Sequence, residues 1–285
     1  MTTNLNQQIQ QFYDASSRLW EQIWGEHMHH GFYGRDGREK KDRRQAQVDL
    51  IVQFLNWGEV DAIADRATIL DVGCGIGGSS LYLAQQFNAQ VTGITLSPVQ
   101  AARATARSQA ASLGDRTHFQ VADAQAMPFA DNSFDLVWSL ESGEHMPDKV
   151  KFLQECYRVL KPGGKLLFAT WCHRPTHRGS RSLNTNEIKH LEQIYEVYCL
   201  PYVISLPEYK AIAHNIGFNV TKTADWSTAV APFWDEVITS AFTLEAIFGL
   251  LTSGWTTIRA ALSMGLMRSG YQTGLVRFGL LCGVK

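Results

Sequence analysis

Three glycines at alternate positions, Gly73, Gly75 and Gly77, follow an apolar run that ends in Asp71, within the segment ILDVGCGIGG at 69 to 78. Glycine lacks a Cβ, so the backbone of such a loop can approach a ligand closely at the mouth of the following helix. Asp71 at the strand end is badly placed to grip a pyrophosphate, but its carboxylate can hold a cationic amino group. Cys74 lies inside the loop with no base beside it in the sequence, so a nucleophilic thiol is not expected. A second group with chemical potential is ESGEHM at 141 to 146, where Glu144 and His145 set a carboxylate beside an imidazole. Imidazole titrates near neutrality, whereas an unperturbed carboxylate is a weak base towards a weakly acidic hydroxyl. His145 is therefore the favoured proton acceptor, with Glu144 orienting it or steadying positive charge. His27, His29 and His30 invite a metal reading, yet adjacent histidines point in different directions and no acidic or Cys partner lies nearby at ligand spacing. No metal is expected.

The elements that must position these groups alternate along the centre of the chain. Short apolar runs bounded by Gly, Asp or Pro predict strands at Thr68 to Val72, Gln90 to Thr95, His118 to Ala122, Phe134 to Leu140 and Leu166 to Thr170. Helical patterns at Ser79 to Gln86, Pro98 to Leu113 and Lys149 to Leu160 separate them. Ser97 offers an N-cap oxygen, and Pro98 suits the first helical position. Pro162-Gly163-Gly164 predicts a turn before the fifth strand. Two more strands are expected at Val220 to Trp226 and Leu275 to Gly283. Such alternation is the signature of an α/β fold, a largely parallel sheet with helices on both faces. The boundaries expected are an N-terminal helical cap at 1 to 45, a ligand-binding core at 46 to 172, a cap insertion with one core strand at 173 to 270, and a final strand at 271 to 285. The polar stretch His173 to Asn186 is long enough to form a loop of its own.

Composition removes several classes of function. The 285 residues carry 26 Lys and Arg against 27 Asp and Glu, a net charge of −1, which offers no field for nucleic acid. The charge run Arg38 to Arg44 mixes signs and reads as a solvated helix face. Five cysteines form no CxxC pair, which points to a reducing compartment. The polar N-terminus shows no signal or transit peptide, and the longest uncharged stretch in the apolar C-terminal third, between Glu245 and Arg259, is too short to span a bilayer. A cytoplasmic protein is expected, compatible with peripheral contact with an internal membrane; oligomeric state is left open.

The glycine loop, written DxGxGxG, resembles motif I of the class I S-adenosylmethionine-dependent methyltransferases. The pieces that follow it, VADAQAMPF at 121 to 129, FDLVWSLESGEHM at 134 to 146 and LKPGG at 160 to 164, occur in that family's order. The resemblance sharpens in FYDASSRLWEQIWGEHMHHGFYG at 12 to 34, in the ESGEHMP loop and in TADWSTAVAPFWD, which are similar to the tocopherol methyltransferases of photosynthetic organisms. It runs from about residue 10 to the end of the chain. It implies a Rossmann-like fold with a mostly parallel seven-stranded sheet and a helical cap. It also implies S-adenosyl-L-methionine as methyl donor and a prenylated phenol of tocopherol type as acceptor, methylated on a ring carbon ortho to the phenol.

By the same resemblance, Asp71, Gly73, Cys74, Gly75 and Gly77 form the cofactor loop. Asp123 meets the adenine amino group, Ala124 a ring nitrogen, and Leu140 faces the cofactor. Most class I enzymes end the second strand in an acid that binds the ribose. Here the strand reads VTGITLSPVQ, so that contact passes to Thr95, beside Leu96, or to Gln100. The HMHHG segment is expected to form a loop over the cofactor. Trp20, Trp24 and Trp57 are expected as packing anchors, as are Tyr198, Tyr202 and Tyr209, while Trp226, Phe233 and Trp234 are equally suited to packing and to lining a pocket. His29 and His173 are alternative proton acceptors. Rival readings are the same fold acting on another prenyl quinol, a sterol or an indole nitrogen, and a protein that binds S-adenosylmethionine without turnover.

Overall fold

The computed structural model describes residues 2–60, 66–176, 180–241 and 264–285. Seven strands form one sheet: β1 (Thr68–Val72), β2 (Gln90–Thr95), β3 (Thr117–Val121), β4 (Phe134–Leu140), β5 (Leu160–His173), β6 (Asn219–Asp225) and β7 (Val276–Val284). Their order is β3-β2-β1-β4-β5-β7-β6. Strands β1 to β5 are mutually parallel, and β7 pairs antiparallel with both β5 and β6. The chain winds outward from β1 to β3 and then returns to β4 on the other side. The carboxyl ends of β1 and β4 therefore flank the point where strand order reverses, the place where open α/β sheets bind ligands.

Strand side chains alternate between two cores because successive Cβ atoms point to opposite faces. On β5, Leu167, Ala169 and Trp171 join one apolar cluster with Phe54 and Trp138, while Leu166, Phe168 and Cys172 join the other with Phe152 and Tyr209. Helix α1 (Thr2–Trp24) opens the chain. Helix α2 (Arg43–Trp57) starts where Asp42 accepts hydrogen bonds from the amides of Arg44 and Gln45. Helices α3 (Gly78–Phe87), α4 (Pro98–Ala110) and α5 (Lys149–Val159) join the parallel strands, α4 beginning as expected with Pro98 behind a Ser97 cap. Capping boxes at Asn184 and Ser205 start α6 (Thr185–Tyr198) and α7 (Leu206–Ile216). Helices α8 (Ser227–Val230) and α9 (Pro232–Ala241) follow β6.

Most strand boundaries fall within a residue of the sequence expectation, but β5 starts six residues early. Leu160 already pairs with Phe134, and the ladder shifts register before Lys165 meets Leu136. The expected Pro162-Gly163-Gly164 turn is thus a bulge within the strand. Gly163 takes φ +79, and the end of the chain closes the bulge, with Gly163 N donating to Lys285 O at 2.9 Å and Lys285 N to Gly164 O at 3.0 Å. Helix α7, expected within the cap, packs against α5, β6 and β7 as part of the helical layer. The side chains of Trp20 and Trp24, and the stretch between Glu245 and Arg259, lie outside the described residues. No described helix is long and apolar enough to cross a membrane.

Trp138, fully buried on the central strand β4 and packed against Phe54 at 4.9 Å, anchors the cluster beneath the sheet. Trp138→Ala should cost roughly 3–5 kcal/mol through lost burial and the cavity left behind, read as a lower urea midpoint with an unchanged slope.

Candidate active site

The carboxyl ends of five strands open into one cavity. Asp71 comes from β1, Thr95 and Leu96 from β2, Asp123 and Ala124 from the turn after β3, Leu140 from β4 and Trp171 from β5. Gly73, Cys74, Gly75, Gln100, Glu144 and His145 also line it, so every residue expected from the sequence to hold the cofactor or carry the catalytic pair, except Gly77, meets at this place.

The three loop glycines differ in what they do. A Cβ on Gly73 would lie 2.2 Å from Ser142 Cβ, so this glycine lets the β1 and β4 loops touch. A Cβ on Gly75 would meet only Met28 Sδ, at 3.6 Å, within the cavity. That open space is a cradle with room for a ligand. Gly77 corrects the sequence expectation. At φ +83 it turns the chain into α3, and its Cβ would press on Ala104 Cβ at 3.0 Å and Phe119 Cζ at 3.1 Å, away from the cavity. Its role is packing, which alternate spacing along a loop could not distinguish from ligand contact.

Asp71 is 2 % exposed and accepts a 2.6 Å hydrogen bond from Ser80 Oγ. Burial raises its carboxyl to about 7 despite that bond, so a cationic partner is the natural complement. Burial also holds the Cys74 thiol well above its ordinary value, consistent with no nucleophilic role. Thr95 Oγ1 donates to Gln100 Oε1 at 2.8 Å, which turns the Gln100 amide nitrogen towards Met28 Sδ at 3.8 Å.

The loop after β4 carries the acid and base groups. Glu144 is 1 % exposed and accepts a 2.7 Å bond from Thr170 Oγ1. Burial first, and the charge of Glu141 second, raise its carboxyl to about 7. Burial, with Lys149 adding to it, lowers His145 to about 3. The ranking drawn from ordinary values is inverted: in this dry pocket the carboxylate is the stronger base and the imidazole is neutral. Lys149, itself lowered to about 7 by burial, holds the loop by donating to Gly143 O at 2.9 Å and Glu144 O at 3.0 Å.

Glu141 is the site residue that motif reading overlooked. Its carboxylate accepts from His30 N at 2.7 Å, His30 Nδ1 at 2.7 Å and Trp171 Nε1 at 3.0 Å. Although burial pushes it up, the charge and hydrogen bonds of His30 hold it below the usual carboxylate range. The available signal was a charged residue directly after an apolar strand, opposite a histidine-rich segment.

Helix α1 closes over the cavity. Asn6 Nδ2 donates to Asp123 Oδ2 at 2.9 Å, Ser97 Oγ donates to Asp14 Oδ1 at 2.5 Å, and Tyr13 shares a 2.6 Å hydrogen bond with His145 Nε2. Ile9 and Phe12 face the same space, as do His27, Met28 and His29. Trp226 packs on Phe32 and Trp57, and Phe233 and Trp234 are fully buried around His30, so these aromatics pack and do not line the cavity. Tyr198 lines it, whereas Tyr209 is buried beside Phe168 and Tyr202 lies at the surface by Lys149. His173 is engaged with Arg174 O and Glu208 and lies outside the cavity lining, which removes it as a proton acceptor.

Comparison with known proteins supplies the lineage. A family described as "Methyltransferase domain" matches residues 70–168. The chain is 48% identical to a probable chloroplastic tocopherol O-methyltransferase of Oryza sativa subsp. japonica, over 97% of this chain and 77% of that protein. It is 46% identical to the chloroplastic tocopherol O-methyltransferase of Arabidopsis thaliana, over 98% of this chain and 82% of that one. Among solved structures, the [4+2]-cyclase SpnF superposes with a TM-score of 0.79 at 25% identity, covering 98% of this chain and 96% of that one. One fold thus hosts a cyclase as well as methyltransferases, so chemistry must be argued from the site and the sequence relatives.

Gly75→Val should abolish cofactor binding in calorimetry, because the branched side chain enters the cradle, whereas Gly77→Ala should lower the melting temperature with far less effect on affinity. A pH series offers a second check. The raised Glu144 carboxyl favours the folded state below its unfolded value, and that stability is lost as pH rises through about 7. Glu144→Gln should therefore gain on the order of 2 kcal/mol relative to wild type between pH 5 and pH 8 in chemical unfolding.

Proposed function

The chain belongs to the tocopherol methyltransferases, S-adenosylmethionine-dependent enzymes of the class I fold, and from that premise we propose that it methylates the chromanol ring of gamma-tocopherol, and of delta-tocopherol, on the carbon ortho to the phenol. The observation that carries this reading is a single cavity lined by both the Gly75 cradle and the Glu144 carboxyl.

The cofactor fits the residues present. Asp71, buried with a raised carboxyl, suits the cationic amino group, the space beyond Gly75 suits the chain that follows, Gln100 suits the ribose, and Asp123 with Ala124 suits the adenine edge. Bound S-adenosylmethionine supplies a methyl group made electrophilic by its sulfonium. Glu144, about half ionised at neutral pH, takes the phenolic proton and so turns the ring carbon into a nucleophile. Neutral His145, tied to Tyr13 of the closed lid, orders the wall beside it. Ile9, Phe12 and Met146 give apolar surface for the prenyl part of the acceptor, whose burial is worth roughly 25 cal/mol per Å² and orients the head group.

The relatives are named as oxygen methyltransferases; transfer to carbon is our reading for this chain. It is supported by a cavity lining that holds imidazole groups beside the Glu144 carboxyl, where methylation of oxygen requires a single proton acceptor.

Turnover against gamma-, delta- and beta-tocopherol, prenylated hydroquinones and indoles, with the product resolved by mass spectrometry and NMR, tests the proposal. An aryl methyl group on gamma- and delta-tocopherol is expected; a methoxy product, or preference for an indole, would refute it. Glu144→Gln should lower kcat by about 10² to 10⁴ with near-normal cofactor affinity, and wild-type turnover should rise with pH through about 7 as Glu144 ionises.

A further inference from the structure

Methylation at a ring carbon leaves a proton to be removed that methylation at oxygen would not. Once the new C–C bond forms, with the C–S bonding pair staying on sulfur, the attacked carbon bears both a methyl group and its original hydrogen, and the ring is a neutral dienone. Aromaticity returns only when that C–H bond breaks and its electrons re-enter the ring. A second base must take this proton, because Glu144 already holds the phenolic one.

We propose that His29 Nε2 is that base. The inference rests on the acceptor reading above. His29 Nδ1 lies 2.8 Å from His30 O, and a carbonyl can only accept, so Nδ1 carries the hydrogen and Nε2 carries a bare lone pair. Nε2 is buried without a hydrogen-bond partner on a side chain that lines the cavity. Its main chain is fixed from two directions, by Gln47 Nε2 donating to His29 O at 2.9 Å and by His30 clasping Glu141. Burial lowers the basicity of His29, and the nearby charge of Glu141 draws it back.

The other two imidazoles of the cavity lack this fixed tautomer. His145 shares its Nε2 with the Tyr13 hydroxyl, which can donate or accept, and His27 sits over the start of α3, where a Cβ on Gly78 would meet its Nδ1 at 2.7 Å. The proton balance closes: Glu144 returns its proton to the phenolate, His29 leaves protonated, and it releases one proton per turnover to solvent.

The test uses an acceptor chromanol deuterated at the carbon to be methylated. His29→Asn keeps a side-chain N–H for His30 O and removes the base; His29→Gln serves if that variant does not fold. Turnover should fall by about 10²-fold or more, with a primary deuterium isotope effect larger than in wild type, because C–H cleavage becomes limiting, and with unchanged S-adenosylhomocysteine affinity. His145→Asn should show no such increase. In ¹⁵N-histidine spectra of the complex with S-adenosylhomocysteine, adding the acceptor should shift one Nε2 signal that His29→Asn lacks. Wild-type turnover in His29→Asn, slowing without a larger isotope effect, or the isotope effect appearing in His145→Asn instead would overturn the proposal. A wild type that makes no aryl-methyl product overturns the acceptor reading, and this one with it.

Discussion

The active site depends on a buried carboxylate with three donors. Glu141 sits at φ +55 at the end of β4, a left-handed backbone that a branched or bulky residue pays about 1–2 kcal/mol to adopt. Its side chain, 3 % exposed, is held by the main chain and ring of His30 and by the indole of Trp171. Loss of one partner from such a pair strands a charge in a dry interior, typically at about 3–5 kcal/mol. The pair joins the segment before α2 to β4 and β5, and Gln47 of α2 adds a second tie through His27 O and His29 O. Met28 and His29 become cavity walls because these bonds leave their backbone nowhere else to go.

Burial of this kind changes what the acids and bases of the site are. Burial raises Asp71 and Glu144 to about 7, and it lowers Lys149 to about 7 and His145 to about 3. The direction follows one rule, that a low-dielectric setting disfavours the charged form. A carboxyl and an ammonium therefore converge on the pH at which proton transfer in either direction is cheap.

The sheet and the cofactor loop were legible because their signals are local. Short apolar runs bounded by Gly, Asp or Pro marked β1, β2 and β4, the Ser97-Pro98 pair marked the start of α4, and the glycine spacing after Asp71 marked a loop that lines the cavity. What escaped was set by tertiary contact. Gly77 looks like its neighbours in sequence but faces Ala104 and Phe119, because the turn at φ +83 rotates it out of the cavity. The Pro162-Gly163-Gly164 turn became a bulge because the chain terminus supplies its hydrogen bonds. Glu141 was hidden behind the more familiar neighbours Glu144 and His145, and the basicity of those two could be ordered only once their burial was known.

The lid is tied to the sheet through the groups that should meet ligands. Helix α1 touches the turn after β3 through Asn6 and Asp123, the turn after β2 through Asp14 and Ser97, and the loop after β4 through Tyr13 and His145. Among the described ties, the Asp14–Ser97 bond and the outer bridge between Glu21 and Arg103 lie outside the cavity lining, the latter half exposed on its Arg side, where such a pair contributes little. Closure and ligand binding therefore act on shared atoms and cannot be independent equilibria. A ligand that replaces one of these bonds alters the lid, and by thermodynamic linkage the lid alters that ligand's affinity by the same factor. The apolar residues Ile9 and Phe12 lie on the same helix as these polar ties, so one element supplies the cavity with both polar and apolar wall, and a shift of that helix moves both together.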